Sequence, residues 1–456
     1  LFLKDIPPKT DYGELEVSQP RIYFGEKTDD FVIVNTKAKE FDYPLGNENV
    51  FATYGGRDGV QLSSILRKAI FSIKLASLNL LVSSAVTSDS RVLLKRNIID
   101  RIKTIAPFLE YDSDPYIVIN GGRLFWIIDA YTTTNKFPYS ESVFGFNYVR
   151  NAVKVVVDAY NGDVNFYIID KEDPLIKNYV QIFPGLFKDF KEMPSGLKGH
   201  IRYPEDLFKV QTKIYGTYHM RDSQVFYNKE DVWRTPMEAY ESNQIELSPY
   251  YIIMKLPDAD KEGFFLIIPL IPRGKENMVA WFTAYSDSEN YGKLEVFELS
   301  KQELTFGPMQ IEARINQDTE ISQLFTLWNQ QGSKVIRGNL IVIPIEESFL
   351  YIEPIYLKSS STGALPQFKR VIIAYGDKVT MQETLEDALN VMFSGKAMQK
   401  QNEKIKQENG KAPPTLDDKF AKASQLYGEA QAALTKGDFA AYANKIEELG
   451  KVLGKD

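Results

Sequence analysis

Three observations predict an α+β fold of several antiparallel β-sheet units with flanking helices and a helical hairpin at the C-terminal end. Tyr and Phe are abundant, 26 and 28 of 456 residues, which favours sheet over helix bundle. Glycine turns sit between β-branched runs at several places. The same strand pattern also returns along the chain.

Residues 1–50 read as an irregular opening segment. Short strand-like pieces, Arg21-Ile-Tyr-Phe24 and Phe31-Val-Ile-Val34, lie among Pro, Gly and Asp. Leu1-Phe-Leu-Lys-Asp-Ile-Pro-Pro8 carries no cleavage pattern. Leu1 is not a natural start, so a segment is expected upstream of it.

Residues 51–235 are expected to hold a helical pair and the first antiparallel sheet. The polar loop Tyr54-Gly-Gly-Arg-Asp-Gly59 leads into a helix over about Ser63 to Ser83, with Leu66, Ala69, Ile70, Ile73 and Leu80 at helical spacing. The apolar run Ala69 to Val86 is interrupted by Lys74, Asn79 and serines, so it reads as a buried helix and not as a span of the roughly 20 residues a bilayer needs. Thr87 and Asp89 are placed to cap a second helix, Ser90 to about Leu109, with Pro107 near its end. Nine cations stand against three acids between Arg57 and Lys103. Arg57, Arg67, Lys68, Arg91, Lys95 and Arg96 are either a solvated helix face or a surface for anionic lipid or a polyanionic wall polymer.

Strands follow. Tyr116–Asn120 and Arg123–Tyr131 flank Gly121-Gly122, a two-residue loop that pairs Ile119 with Leu124 and Ile117 with Trp126. Val153–Tyr160 and Asp163–Asp170 flank Asn161-Gly162, which predicts Ala159 opposite Val164 and Val157 opposite Phe166. Pro174 to Phe187 and Pro204 to Met220 read as helices with Pro at their starts.

Residues 236–394 repeat the pattern. Tyr250–Leu256, Gly263–Pro269, Met278–Tyr285 and Tyr291–Phe297 form a second set. Asn339–Pro344, Phe349–Glu353 and Arg370–Met381, with a Gly376-Asp377 turn, form a third. The shared signature is strand, Ala-Tyr, glycine turn, strand; it is read either as three related four-stranded units or as convergent hairpin chemistry. A helix is expected over Thr384 to Met392. Residues 395–414, rich in Lys, Gln and Glu, read as a linker, and 415–456 as a helical hairpin broken at Gly437-Asp438.

Composition narrows the chemistry. The net charge of −7 and pI near 5.3 argue against nucleic acid as a partner. With no cysteine there is no disulfide, thiolate zinc site, iron–sulfur cluster or thiol nucleophile. The two histidines, His200 and His219, are too far apart for a helical metal pair and read as structural. Asp112, Asp114 and Asp129 lack EF-hand spacing and read as turn formers rather than as a calcium site. No Walker loop, G-x-G-x-x-G or G-x-S-x-G occurs, so neither cofactor nor metal is expected.

One polar stretch stands out. Gln310, Arg314, Asn316, Gln317, Trp328, Asn329, Gln330 and Arg337 fall within thirty residues. Amides, guanidinium groups and an indole suit a sugar or peptide groove. The alternative is a buried network that satisfies loop backbone.

Further stretches carry a resemblance. They include Gln19-Pro-Arg-Ile-Tyr-Phe-Gly-Glu26, Asp112-Ser-Asp-Pro-Tyr116, Trp126-Ile-Ile-Asp-Ala-Tyr-Thr-Thr133, Val153-Lys-Val-Val-Val-Asp-Ala-Tyr160, Arg202-Tyr-Pro-Glu-Asp-Leu-Phe208, Pro308-Met-Gln-Ile-Glu-Ala-Arg314 and Leu327-Trp-Asn-Gln-Gln-Gly332. Over about residues 3–393 the chain resembles the C-terminal soluble part of membrane proteins grouped as uncharacterised protein family 0182. The resemblance implies membrane helices upstream and a domain facing the extracytoplasmic side of the cell membrane; it supplies no activity, catalytic residue or cofactor. The expected role is a non-enzymatic binding domain for an envelope polymer, lipid or protein partner. The alternatives are an envelope hydrolase or transferase, or a substrate-handling domain of a transport or export system.

Overall fold

The computed structural model describes residues 3–240, 243–257, 259–287, 290–300, 302, 304–330, 332–345, 348–361, 363–393, 426, 429 and 445. The expected linker, and all but three positions of the expected terminal hairpin, lie outside the described residues. The architecture is α+β with antiparallel sheets. The chain divides into two compact units, Leu1–Lys369 with Ala374–Asp377, and Arg370–Ile373 with Lys378–Asp456.

The first unit opens with β1 (Val32–Val34), the hairpin β2 (Glu40–Leu45) and β3 (Glu48–Ala52), and β4 (Val60–Gln61). Two short helices follow, α1 (Ile65–Lys74) and α2 (Asn79–Val82), then β5 (Arg91–Leu93) and α3 (Ile98–Ile105). This corrects the expectation of two long helices. The first breaks after Lys74, where Ala76 takes a left-handed φ of 49°. Residues 91–93 extend because they pair with β1 and β4 in a three-stranded sheet, a non-local demand that outweighs helical spacing. The cap of the second helix is Asn97, whose side chain accepts from the Ile99 and Asp100 amides. Nor is α1 buried: Leu66, Ile70 and Ile73 face outward, and only Ser72 is enclosed.

The first large sheet contains β6 (Glu110–Tyr111), β7 (Tyr116–Asn120), β8 (Arg123–Thr134), β9 (Tyr148–Asp158), β10 (Val164–Ile168) and, past α4 (Pro174–Ile182), β11 (Phe187–Asp189). The Gly121-Gly122 hairpin has the expected register, Ile119 opposite Leu124 and Ile117 opposite Trp126. Both glycines take positive φ, 58° and 73°, as a tight two-residue turn demands. The next hairpin differs: Val157 faces Val164 and Val155 faces Phe166. The strand stops at Asp158 because its carboxylate accepts from the Tyr160 and Asn161 amides and folds the chain into a longer loop. Ala159 turns away to bond Leu124 through its N–H and the Tyr23 and Phe24 amides through its carbonyl. The slip is an even number of residues, so the same apolar face stays buried.

Helices α5 (Ser195–Lys198), α6 (Glu205–Tyr218) and α7 (Ser223–Asn228) lead to β12 (Trp233–Arg234) and the hairpin of β13 (Met237–Tyr240) with β14 (Asn243–Glu246). A second large sheet has β15 (Tyr250–Lys255), β16 (Glu262–Pro272), β17 (Ala280–Tyr285) and β18 (Leu294–Glu298), with β12 at one edge. Then come α8 (Pro308–Gln317), α9 (Thr319–Trp328), β19 (Ser333–Arg337), β20 (Ile341–Ile345) and β21 (Ser348–Ser359).

One plan recurs. A strand of 12, 11 or 12 residues (β8, β16, β21) pairs along one half with the short strand just before it (β7, β15, β20). Along its other half it pairs with an earlier short strand (β6, β12, β19). A helix precedes each set. In the first two sheets a further strand pair extends the opposite edge. One core gathers Phe24, Ile98, Ile102, Ile128, Val155, Val157 and Phe166. Another joins Tyr131 and Phe208 to Leu266, Ile268 and Phe282 of the second sheet.

The second unit holds residues 370–373 of β22 (Gln367–Tyr375), its neighbour β23 (Lys378–Gln382), and a helix over residues 385–393. The Thr384 hydroxyl accepts the Asp387 amide at the start of that helix.

Candidate functional site

A cavity of about 1020 Å³ opens in the first unit, lined by β7, the start of β9, the Lys198–Tyr203 segment, α6 and the loop after β17. Its chemistry begins beneath the wall. The middle of β8 and the second half of β9 are buried on both faces, yet they hold Asp129 and Lys154, which the strand register sets directly opposite. Their charged ends meet at 2.5 Å, with Lys154 wholly buried. Burial pushes the ammonium down and the carboxyl up from their ordinary values, and the attraction of each for the other opposes that. The remaining valences are filled. Lys154 Nζ donates to the Arg202 carbonyl at 2.8 Å and lies 5.1 Å from the centre of the Tyr291 ring. Asn151 Nδ2 donates to Asp129 Oδ1 at 2.8 Å. A buried pair completed in this way avoids most of the cost of an unmet charge.

Arg202 makes the second layer. Its guanidinium lies between the rings of Tyr116 and Tyr251, at 4.1 and 4.5 Å from their centres, and pairs with Asp114. A planar cation held between two aromatic faces is a rigid wall element. Asp112 closes the ring of charges: it accepts from the Tyr131 hydroxyl, the Asp114 amide and the Asp206 amide. Burial raises its carboxyl to about 6, against the help of the Tyr131 hydrogen bond and with the repulsion of Asp129 and Asp206. Burial likewise raises the phenols of Tyr116, Tyr251 and Tyr291.

The ionic groups at the cavity surface are themselves engaged. Arg150 pairs with Asp170 at 2.6 Å, Asp287 accepts the Phe264 amide at 2.8 Å, and Lys198 donates to the Lys191 carbonyl at 3.0 Å. What faces the space is then aromatic rings (Phe190, Phe264, Tyr291) beside amide and hydroxyl groups (Asn151, Gln211, Ser286). His200 stands at the rim, while His219 stacks on Trp233 with ring centres 3.7 Å apart.

The polar stretch singled out in the sequence lies elsewhere. Arg337 grips Glu353 in a fork, Nε to Oε1 at 2.5 Å and Nη2 to Oε2 at 2.6 Å. Its Nη1 also donates to Asn316 Oδ1 at 3.0 Å, and its Nη2 touches Glu312. All three charged residues are buried. The Gln310 side chain caps the Gly307 amide, Asn329 accepts the Val335 amide, and Arg314 donates to the Gly376 and Asp377 carbonyls. Trp328 is half-buried near Phe325, and Gln317 and Gln330 are exposed. The structure thus joins Asn316 with Arg337 and uses the others separately.

The basic residues near the start are also spread out. Arg57 pairs with Asp163; Arg67 donates to the Gln61 carbonyl, Lys68 to Val86, Arg91 to Arg57, and Arg96 to Tyr23 and Asp30. Lys95 is exposed, with a left-handed φ of 50°. Most of these cations hold loop carbonyls. Asp112, Asp114 and Asp129 each have a hydroxyl or cation of this chain as partner. Groups of three or more metal-ligating side chains are absent among the described residues.

Asp129, Lys154 and Arg202 had a signal in the sequence. Each is a charge inside, or next to, an otherwise apolar or aromatic run: Ile127-Ile-Asp-Ala130, Val153-Lys-Val-Val156 and Ile201-Arg-Tyr-Pro204. Two of the stretches that carry the resemblance reach this cavity, one through Tyr116 and the other through Arg202, Tyr203 and Leu207.

No solved structure matches the chain. A UPF0182 protein of Methanospirillum hungatei is 48% identical over 99% of this chain and 51% of its own length. Those of Pelotomaculum thermopropionicum and a Sulfurovum strain are 51% and 48% identical over 100% of this chain and 50% of their own lengths. The chain therefore spans about half the length of the curated relatives it matches. The model of the Uncharacterised protein family (UPF0182) matches residues 1–328, and with these identities the chain belongs to that family.

Proposed function

We propose that this chain is a non-enzymatic binding domain of a larger membrane protein, facing the extracytoplasmic side, and that its cavity takes a sugar unit of an envelope polymer. The observation that carries the reading is the charge-balanced wall. Lys154, Arg202 and Arg150 are each matched by an aspartate, so the cavity offers rings and planar hydrogen-bonding groups rather than net charge. Flat apolar faces beside amides are what a pyranose needs: stacking on one side and directed hydrogen bonds on the other.

The test is calorimetric titration of the whole chain with N-acetylglucosamine oligomers. Saturable heat is expected, and Phe190→Ala or Gln211→Leu should weaken binding by about tenfold. Absence of saturable heat with the wild-type chain removes the sugar reading.

A second reading, an envelope hydrolase or transferase, has one observation in its favour: the Asp112 carboxyl, raised to about 6, in the range of a general acid. Its oxygens are already bonded to Tyr131, Asp114 and Asp206, and it lies outside the cavity lining. Release of reducing ends from the same oligomers, lost in Asp112→Asn with binding retained, would favour the enzyme.

A further inference from the structure

Helix α1 is amphipathic the wrong way round for a helix of a closed fold. Its inward side carries Lys68, Phe71, Ser72 and Leu75, of which Phe71 and Leu75 pack on Leu62, Leu80, Val86 and Val92. The inward polar groups are satisfied locally: Ser72 Oγ donates to the Ser77 carbonyl and Lys68 Nζ to that of Val86. The outward side carries Ile65, Leu66, Ile70 and Ile73, and Leu78 just before α2 and Val82 at its end are exposed as well. Ile65 is 79% exposed and Ile73 83%. Scattered exposed apolar residues are ordinary; a run of aliphatic side chains on two consecutive helices marks an interaction surface.

Two features choose the occupant. The outward set is wholly aliphatic. The segment from Gly59 to Ser88 contains Arg67, Lys68 and Lys74 and no acid, inside a chain of net charge −7. Lys74 sits in the last turn of α1, exposed beside the aliphatic side chains. Aliphatic side chains in a basic, acid-free segment complement an anionic phospholipid surface: the chains enter the acyl boundary while the exposed Lys74 stays among phosphates. At ten residues α1 is about 15 Å long, too short to cross a hydrocarbon core of about 30 Å, so it would lie in the interface plane.

We propose that the α1–α2 face docks on an anionic lipid bilayer. This proposal does not rest on the cavity. The experiment is flotation of the whole chain with vesicles of phosphatidylcholine and phosphatidylglycerol, beside vesicles of phosphatidylcholine alone. The wild-type chain is expected to float with the mixed vesicles and less with the neutral ones. The double variant Ile70→Asp, Ile73→Asp should lower the bound fraction by about tenfold or more. Both positions are exposed, so the melting temperature should hold, and a melt of the variant checks this. If the double variant does melt early, Ile73→Ser is used instead, with a smaller loss expected. The proposal is overturned if the wild-type chain stays with the pellet, or if the folded variant floats as well as the parent. It is also overturned if sedimentation shows a dimer that the variant dissolves, since a second copy would then be the occupant.

Discussion

Two buried charge centres in this molecule are built on opposite principles. In the first sheet one cation meets one carboxylate: Lys154 and Asp129, completed by Asn151 and the Arg202 carbonyl, beside a cavity. Near the third strand set, one cation meets two carboxylates. Arg337 is forked to Glu353 and also touches Glu312. Glu238, which accepts the Asn339 side chain and the Leu340 amide, adds its repulsion to Glu312. One cation cannot balance two buried carboxylates, so burial raises both Glu353 and Glu312 and favours a proton shared within the pair. Burial and the neighbouring Glu353 raise Glu312 to about 8. The first centre is balanced by geometry; the second is balanced by a proton and therefore answers to pH.

The largest effect should come from removing the single cation of the second centre. Arg337→Met leaves its acids with no partner and should cost about 3–5 kcal/mol in urea unfolding, more at pH 9 than at pH 6. A loss that is flat with pH would show that the second centre holds no titrating proton. Lys154→Met should cost about 3 kcal/mol, the lower end of that range, because Asp129 keeps the Asn151 amide. Adding Asp129→Leu should recover most of that loss, since a buried pair replaced by apolar groups is often neutral.

Glu312→Gln sharpens the contrast through its sign. In the fold, burial and Glu353 push the Glu312 carboxyl up to about 8 from its ordinary 4.5. Between those values the native state holds a proton that the unfolded chain has released, so stability falls as pH rises through the window. Below the window the variant should match the parent; above it the variant should melt higher. Equal melting temperatures at pH 9 would place the proton elsewhere. The smallest effect is Arg202→Lys. Losing the planar contact with Tyr116 and Tyr251 should cost about 1 kcal/mol in thermal unfolding, with the Asp114 pair retained.

What could be read in the sequence follows how local the cause is. The Gly121-Gly122 turn fixes its own register, and the strands on either side obeyed it. Asn161-Gly162 is the same kind of signal, yet Asp158 ends the strand early and Tyr23 and Phe24 draw Ala159 aside. Residues 90–97 have helical spacing, but strands far along the chain claim 91–93. Periodicity located the apolar side of α1 and could not say whether protein covers it. Asp129 and Lys154 each stood out as a charge among apolar neighbours, and it took the pairing of two strands to bring them together. The stretch from Gln310 to Arg337 was conspicuous because it is polar. Most of its bonded groups serve helix ends and loop backbone.

The segment around Phe24 binds several parts of the first unit at once. Gln19 takes the Gly122 carbonyl, Tyr23 and Phe24 take that of Ala159, and Trp126 donates to the Phe24 carbonyl. Two hairpin tips and a strap of remote sequence are therefore latched by one set of amides. Neither tip can fray alone, and hydrogen exchange at Tyr23, Phe24 and Ala159 should report a single shared opening event.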